Sequence, residues 1–161
     1  MMETEHESFS SEVGIRPACR ADVPAIVRLL ADDVLGATRE MPGDPLAQVY
    51  WDAFDAMSAQ RGNELLVAEL EGEVVGCLQL SVIPGLSRQG MTRGQIEGVR
   101  VSSRHRGKRI GEALVHAAIE SARALGCRVV QLTTDRSRVD AHRFYERLGF
   151  EATHVGMKLT L

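Results

Sequence analysis

A chain of 161 residues, 44% hydrophobic and 25% charged, is long enough to bury one core and too ordinary in composition to be a disordered segment. Its net charge of −3 argues against a dedicated nucleic-acid binder, and no apolar run approaches the roughly 18 residues of a membrane span. Cys19, Cys77 and Cys127 are odd in number, widely spaced and set among apolar neighbours. They fit reduced, packed thiols of a cytoplasmic protein, and neither a disulfide frame nor a metal site.

In chain order, residues 1–11, "MMETEHESFSS", are acidic and polar, without the positive start and apolar core of a signal peptide. They read as a flexible lead to a single domain over 12–161. "EVGIRPA" is a short strand. "ADVPAIVRLLADDVL" is a helix with Asp22 as N-cap, Pro24 in its first turn, and an apolar stripe of Val23, Ile26, Val27, Leu30 and Val34. After the turn-rich "GATREMPGDP", "PLAQVYWDAFDAMSAQ" is a second helix with Pro45 at its start and Gly62 beyond its end. "NELLVAEL" and "EVVGCLQLSVI" are strands joined by a tight turn, and "PGLSRQGMTRG" is a loop. "QIEGVRV" is a strand, "KRIGEALVHAAIESARALG" a helix and "CRVVQLTTD" a strand. "DAHRFYERLG" is a short helix closed by Gly149, and "FEATHVGMKLTL" supplies one or two final strands. The order predicts an α/β (mixed α+β) domain around one mixed sheet.

The most informative stretch is "RHRGKRIGEALV", residues 104–115, where five of the first six residues are Arg, Lys or His. It follows a strand and opens a helix. A helix N-terminus presents unsatisfied N–H groups and roughly half a positive charge, which makes an anion site. Gly107 and Gly111 allow close backbone approach, and Arg106, Lys108 and Arg109 add charge at the rim. The spacing fits neither a Walker A loop nor GxGxxG. Local physics leaves phosphate binding and a merely solvated turn both open. The following helix is apolar on most of its surface, with only a narrow stripe of Glu112, His116 and Glu120. Such a helix is buried and rigid, unlike one that lays a wide polar face in a nucleic-acid groove.

"VRVSSRHRGKRIGEALV" followed by "DAHRFYERLGF" resembles the GNAT superfamily of acyl-CoA-dependent N-acyltransferases. The resemblance implies a mixed, mostly antiparallel sheet flanked by helices, with a splay between "QIEGVRV" and "VVQLTTD". It implies that a Q/R-x-x-G-x-G/A loop grips the pyrophosphate of acetyl-CoA. Arg106 matches the first position and Gly111 the last; Gly107, Lys108 and Ile110 lie between, and Arg109 replaces the middle glycine. A negative φ at Arg109 is the expectation, with its N–H aimed at phosphate. The splay exposes backbone groups of Val99 and Val101 to the pantetheine amides. Arg138 stands near the cofactor where many relatives carry Asn. Tyr145 in "FYERLGF" matches a tyrosine that commonly protonates the leaving thiolate.

The chemistry of amine attack on a thioester adds a base. Glu97 lies two residues before Val99 and is expected on the same face of the strand, looking into the cleft. Glu97 and Tyr145 are therefore the catalytic candidates; no metal is needed. His105 reads as solvated, and His142 and His154 as locally hydrogen-bonded. Tyr50 and Trp51 either pack or line the acceptor pocket. The acceptor loops carry Arg39, Glu40 and Asp44, then Arg88 and Arg93, a mixture suited to a small, polar, charged amine. "DAHRFYERLGFEATH" is similar to the matching stretch of aminoalkylphosphonate acetyltransferases. An amino acid, an aminophosphonate and an antibiotic-like amine are all admitted, and so is a protein N-terminus or lysine. The other readings are a CoA-binding module without transferase activity and a nucleic-acid binder, the latter disfavoured by the lack of a broad basic face. The expected partner is a small-molecule amine, with no nucleic acid or membrane; a homodimer is compatible.

Overall fold

The computed structural model describes residues 12–161; the lead read over 1–11 lies outside them. The elements are β1 (Gly14–Pro17), α1 (Val23–Ala31), α2 (Gln48–Ala59), β2 (Asn63–Leu70), β3 (Glu73–Ile83), β4 (Arg93–Val101), α3 (Ile110–Ala124), β5 (Val129–Leu132) and α4 (Val139–Arg147). The sheet order is β1-β2-β3-β4-β5. Its neighbours are antiparallel except β4 and β5, which the α3 crossover makes parallel. The β2–β3 hairpin turns through Glu71 and Gly72, both at positive φ, the geometry that matches strand twist in a two-residue turn.

The two faces of the sheet are covered differently. On one, Ile110, Leu114, Val115, Ala118 and Ala122 of α3 are buried against Leu66, Ala68, Val75, Leu78, Leu80 and Ile96. The helix sits close because glycines make room for it. A Cβ on Gly76 would stand 2.9 Å from Leu114 Cδ1, and one on Gly94 would stand 3.2 Å from Ala122 Cβ. On the other face, Ile26 and Leu29 of α1 pack on Val67 and Cys77, and no residue of α2 is fully buried.

The β4–β5 ladder runs only from Arg93↔Val129 to Ile96↔Leu132. From Glu97 to Val101, β4 keeps β3 on one side and has no described strand on the other. This is the splay that the resemblance implies.

Several local expectations need correction. α1 stops at Ala31, so Val34 is 87% exposed and Leu29 joins the buried stripe, with Leu30 only half-buried. Asp22 holds the N-cap position of α1, but its carboxylate turns back to accept the Cys19 N–H at 2.7 Å and two bonds from Arg16, closing the turn before the helix. α2 begins at Gln48, three residues after Pro45. Residues 151–161 form no strand and are exposed, Met157 at 92%. Alternating apolar residues make a strand only when a neighbouring edge pairs with them, and none is paired here.

Candidate active site

Along the open edge of β4 the pairing slips: Gln79 faces Glu97 and Cys77 faces Arg100, so two residues, Gly98 and Val99, stand opposite Leu78 alone. Gly98, at φ +61°, supplies the left-handed conformation that such a bulge needs. The extra residue breaks the strand's alternation. Val99 and Val101 pack toward the α3 core, whereas Arg100 stands over Cys77 of the α1 cluster. Glu97, opposite Gln79, shares that α1 side. The same-face expectation for Glu97 and Val99 is therefore wrong: Glu97 is exposed and keeps company with Arg100. Burial pushes the Cys77 thiol up to about 12, which leaves it protonated and unfit as a nucleophile.

β4 leads into the basic turn through Ser102, which is buried and donates its N–H to Val75 O at 2.8 Å. Next, Asp32 accepts the Ser103 N–H at 2.7 Å and its hydroxyl at 3.2 Å, tying the turn to the end of α1. Arg106, Gly107, Lys108 and Arg109 are exposed, and a Cβ on Gly107 would meet nothing within 4 Å. Arg109 has φ +59°, not the negative value expected. The chain must reverse there to deliver the first turn of α3, and a residue with a Cβ meets a cost of about 1–2 kcal/mol. Its side chain is fastened by a 3.0 Å bond from Nε to Glu112 Oε2. The first intrahelical bond is Ala113 N to Arg109 O, 3.0 Å, so the N–H groups of Ile110, Gly111 and Glu112 precede it. The Ile110 side chain is core. A Cβ on Gly111 would point inward, 3.4 Å from Phe144 Cζ and 3.6 Å from Val101 Cγ2. Gly111 thus lets α4 pack on α3, and its contribution outward is an amide.

Tyr145 packs half-buried against the α3 cluster, its ring edge-on to Phe144 at 5.0 Å and to Phe150 at 5.8 Å. Burial raises its pKa, against the pull of Arg100 and Arg138, so the phenol carries its proton at neutral pH. Those two arginines meet on one carboxylate. Asp33 Oδ2 pairs with Arg138 Nη2 and lies 3.2 Å from Arg100 Nε, while Asp33 Oδ1 accepts the Gly36 N–H. Burial works to raise the Asp33 pKa, but the Gly36 amide and the charges of Arg100 and Arg138 hold it below the ordinary value.

Residues 30–150 match the Acetyltransferase (GNAT) family. The chain belongs to that family. Among curated relatives, it is 34% identical over 152 residues to an L-methionine sulfoximine/L-methionine sulfone acetyltransferase of Pseudomonas paraeruginosa, covering 89% of this chain and 86% of that one. It is 35% identical over 107 residues to the aminoalkylphosphonate N-acetyltransferase of Salmonella typhimurium, covering 66% of this chain and 69% of that one. Among solved structures, a Bacillus halodurans C-125 protein described as a transcriptional regulator superposes with a TM-score of 0.91 at 48% identity, covering 93% of this chain and all of the other. This GNAT protein is an acetyltransferase with the fold of its relatives.

The GNAT frame clarifies the remaining residues. Arg106, Lys108 and Arg109 ring an exposed turn, with three free amides behind them. Val99 and Val101 lie on an edge with no strand beside it. Glu97 lies on the α1 side of β4, and Tyr145 packs on the α3 cluster of the other face. Arg138 is turned to Asp33. Sequence reasoning missed Asp33 and Arg100, whose partners lie 105 and 67 positions or so away along the chain. It also took His105 as solvated, whereas its Nδ1 is buried without a partner. His142 and His154 do bond locally, to Asp135 O at 2.9 Å and to Thr153 Oγ1 at 2.7 Å. Tyr50 donates to Glu40 at 2.7 Å and accepts the Met41 N–H at 2.8 Å, and Trp51 lies under Arg20. Tyr50 thus holds the α1–α2 connection, and Trp51 ties α2 to the turn before α1.

Proposed function

We propose that this protein transfers an acetyl group from acetyl-CoA to the primary amine of a small, polar acceptor. The observation that carries the reading is the unpaired edge of β4 beyond Ile96, running directly into the basic turn at the N-terminus of α3. An edge with unpaired amides suits a pantetheine arm, and a rigid helix start flanked by three cations suits a pyrophosphate. Acetyl-CoA supplies the acetyl thioester when bound. Arg106, Lys108, Arg109 and the amides of Gly107, Ile110 and Gly111 hold its phosphates. The backbone of Val101 and Val99 aligns its arm; Val99 O now accepts Arg100 Nη1 at 2.9 Å, a bond to be shared or released there. Glu97, exposed on the α1 side, takes the proton from the attacking amine. Tyr145 Oη holds the proton that the leaving sulfur needs. The acceptor approaches between the α1–α2 connection and the loop before β4. Three unpaired cysteines and the acetyl-CoA requirement are consistent with a cytoplasmic enzyme.

The likeness to a protein described as a transcriptional regulator favours a second reading, a CoA-binding module without turnover. Both readings expect acetyl-CoA to stabilise the fold, by about 2.7 kcal/mol at a hundredfold excess over Kd. Only the enzyme reading expects free thiol to appear when acetyl-CoA is mixed with a panel of small amines. Stabilisation with no thiol release from any amine would favour the module.

A further inference from the structure

The α1 side of the open edge carries a charge arrangement that acetyl transfer itself does not use. Two guanidinium groups converge on the single carboxylate of Asp33, and the charge of Arg138 also acts on Asp135. The side chains are only partly covered, Arg100 at 22% and Arg138 at 30% exposure, with Asp33 at 18%. Arg100 Nε–H is buried and, although 3.2 Å from Asp33 Oδ2, is not aimed at it and has no acceptor. The buried Nε fixes the plane of the Arg100 guanidinium, and the partly exposed remainder of the two guanidinium groups is what a carboxylate or phosphonate would meet, in the geometry that arginine prefers.

Position relative to Glu97 makes this charge relevant. Glu97 and Arg100 face Gln79 and Cys77, two positions apart on the same side of β3. That places them about 7 Å apart along the sheet. An amine hydrogen-bonded to Glu97 and an acid group on Arg100, joined by a short carbon link, span such a gap. We propose that Arg100 and Arg138, aimed by Asp33, bind the anionic group of the acceptor, so that the enzyme selects small amines carrying a carboxylate or phosphonate close to the nitrogen. Asp33 is the positioning residue: it holds both arginines on the α1 side of the edge. The proposal rests on the acetyl-transfer reading of the cleft. It agrees with the relatives named for aminoalkylphosphonate and L-methionine sulfoximine, both amines of this kind.

The test is a ratio of kcat/KM values. Glycine, alanine, β-alanine and aminomethylphosphonate are each compared with the neutral carboxamide or phosphonate diester of the same skeleton, with acetyl-CoA saturating and thiol release as readout. The wild-type protein should prefer the anionic member of the best pair by roughly ten- to hundredfold. R100Q and R138Q should each bring that ratio toward one, mainly through KM, and R100K should retain part of it. A purely structural role would lower both members alike and leave the ratio in place. If R100Q does not fold, R100K and R138Q carry the same measurement. A wild-type ratio near one, or a ratio that survives both R100Q and R138Q, overturns the proposal and leaves acetyl transfer intact. Failure of the wild-type protein to acetylate any amine in the panel overturns both.

Discussion

The two faces of the sheet do different work. The α3 face is dry: Leu114, Val115, Ala118 and Ala122 are fully covered, and the buried cluster around them is wholly apolar. The α1 face has a small apolar patch, a second helix with no fully buried residue, and carboxylates that pair across elements, Asp22 with Arg16 and Asp33 with Arg100 and Arg138. The basic turn hangs from the first face and the Asp33–Arg100–Arg138 cluster from the second. A dense apolar interior has one arrangement, so it suits a donor site that must present amides to a constant pyrophosphate. Ion pairs at a half-exposed surface add little to stability. They can be exchanged without disturbing the core.

The sharpest way to break this division is at Glu97, on the polar face. Glu97→Gln keeps the shape and removes the basicity. Turnover should fall by roughly a hundred- to ten-thousand-fold at neutral pH, while acetyl-CoA still raises the melting temperature. The protein itself should melt close to the wild type, because the side chain is exposed. A wild-type rate at saturating amine, under conditions where chemistry limits turnover, would move the base elsewhere.

Next in size is the contrast between the cores. Leu114→Ala opens a cavity at a fully buried site under Gly76, and should cost about 3–5 kcal/mol. Ile26→Ala, in the thinner cluster on the other face, should cost nearer 2 kcal/mol because its surroundings can close or admit water. Denaturant unfolding of both variants measures the difference. Equal costs would show that the faces are equally packed.

The dry face is also the part that sequence reads best. β2 and β3 occupy the very segments that their alternation marks, Asn63–Leu70 and Glu73–Ile83, and α3 follows from its apolar periodicity. The splay was legible only through family resemblance, since nothing local says where a ladder stops. The polar face was harder. Gly98 inside a strand signalled a bulge, and reading that signal would have placed Glu97 beside Arg100. Asp33 looked like helix surface because its partners come from β4 and from the start of α4, and no local pattern links them. The α1 stripe was overextended to Val34 because periodicity does not mark where the backbone leaves the helix. Arg109 shows the same limit: its positive φ is imposed by the turn and is unfavourable for its own side chain.

The third effect concerns pH. The Arg16 hydrogen bonds hold the Asp22 pKa at about 2, against the usual 3.8, with the Cys19 N–H helping and burial opposing. A depressed folded-state pKa means that the contribution is complete above about pH 5 and is lost as pH falls from about 4 toward 2, since the unfolded chain takes up its proton first. The loss should be about 1–2 kcal/mol, discounted because Arg16 is 38% exposed. Unfolding curves at pH 6 and pH 3 should differ by about half that amount more in the wild type than in Asp22→Asn, because the folded carboxylate is still mostly ionised at pH 3. Amide exchange at pH 3 should loosen β1 and α1 before α3, since the α3 cluster holds no carboxylate. Loss of α3 protection first would reverse the ranking of the two faces.

The smallest effect is at Arg109, at the start of the rigid α3, in the proposed pyrophosphate turn. Arg109→Gly removes a side chain from the left-handed region, which relieves about 1–2 kcal/mol of backbone cost. Glycine returns about 0.5–1 kcal/mol of that through the greater freedom of the unfolded chain. The exposed bond to Glu112 adds a few tenths at most. The net expectation is a free protein more stable by about 0.5 kcal/mol. Acetyl-CoA should stabilise the variant less than the wild type, because a cation beside the pyrophosphate is gone while the amides remain. Paired melts with and without acetyl-CoA read both quantities on one sample. A variant that melts higher and keeps the full ligand-induced shift would mean that the amides alone hold the phosphates. A variant that melts lower would mean that the fastening of Arg109 to Glu112 outweighs the backbone cost.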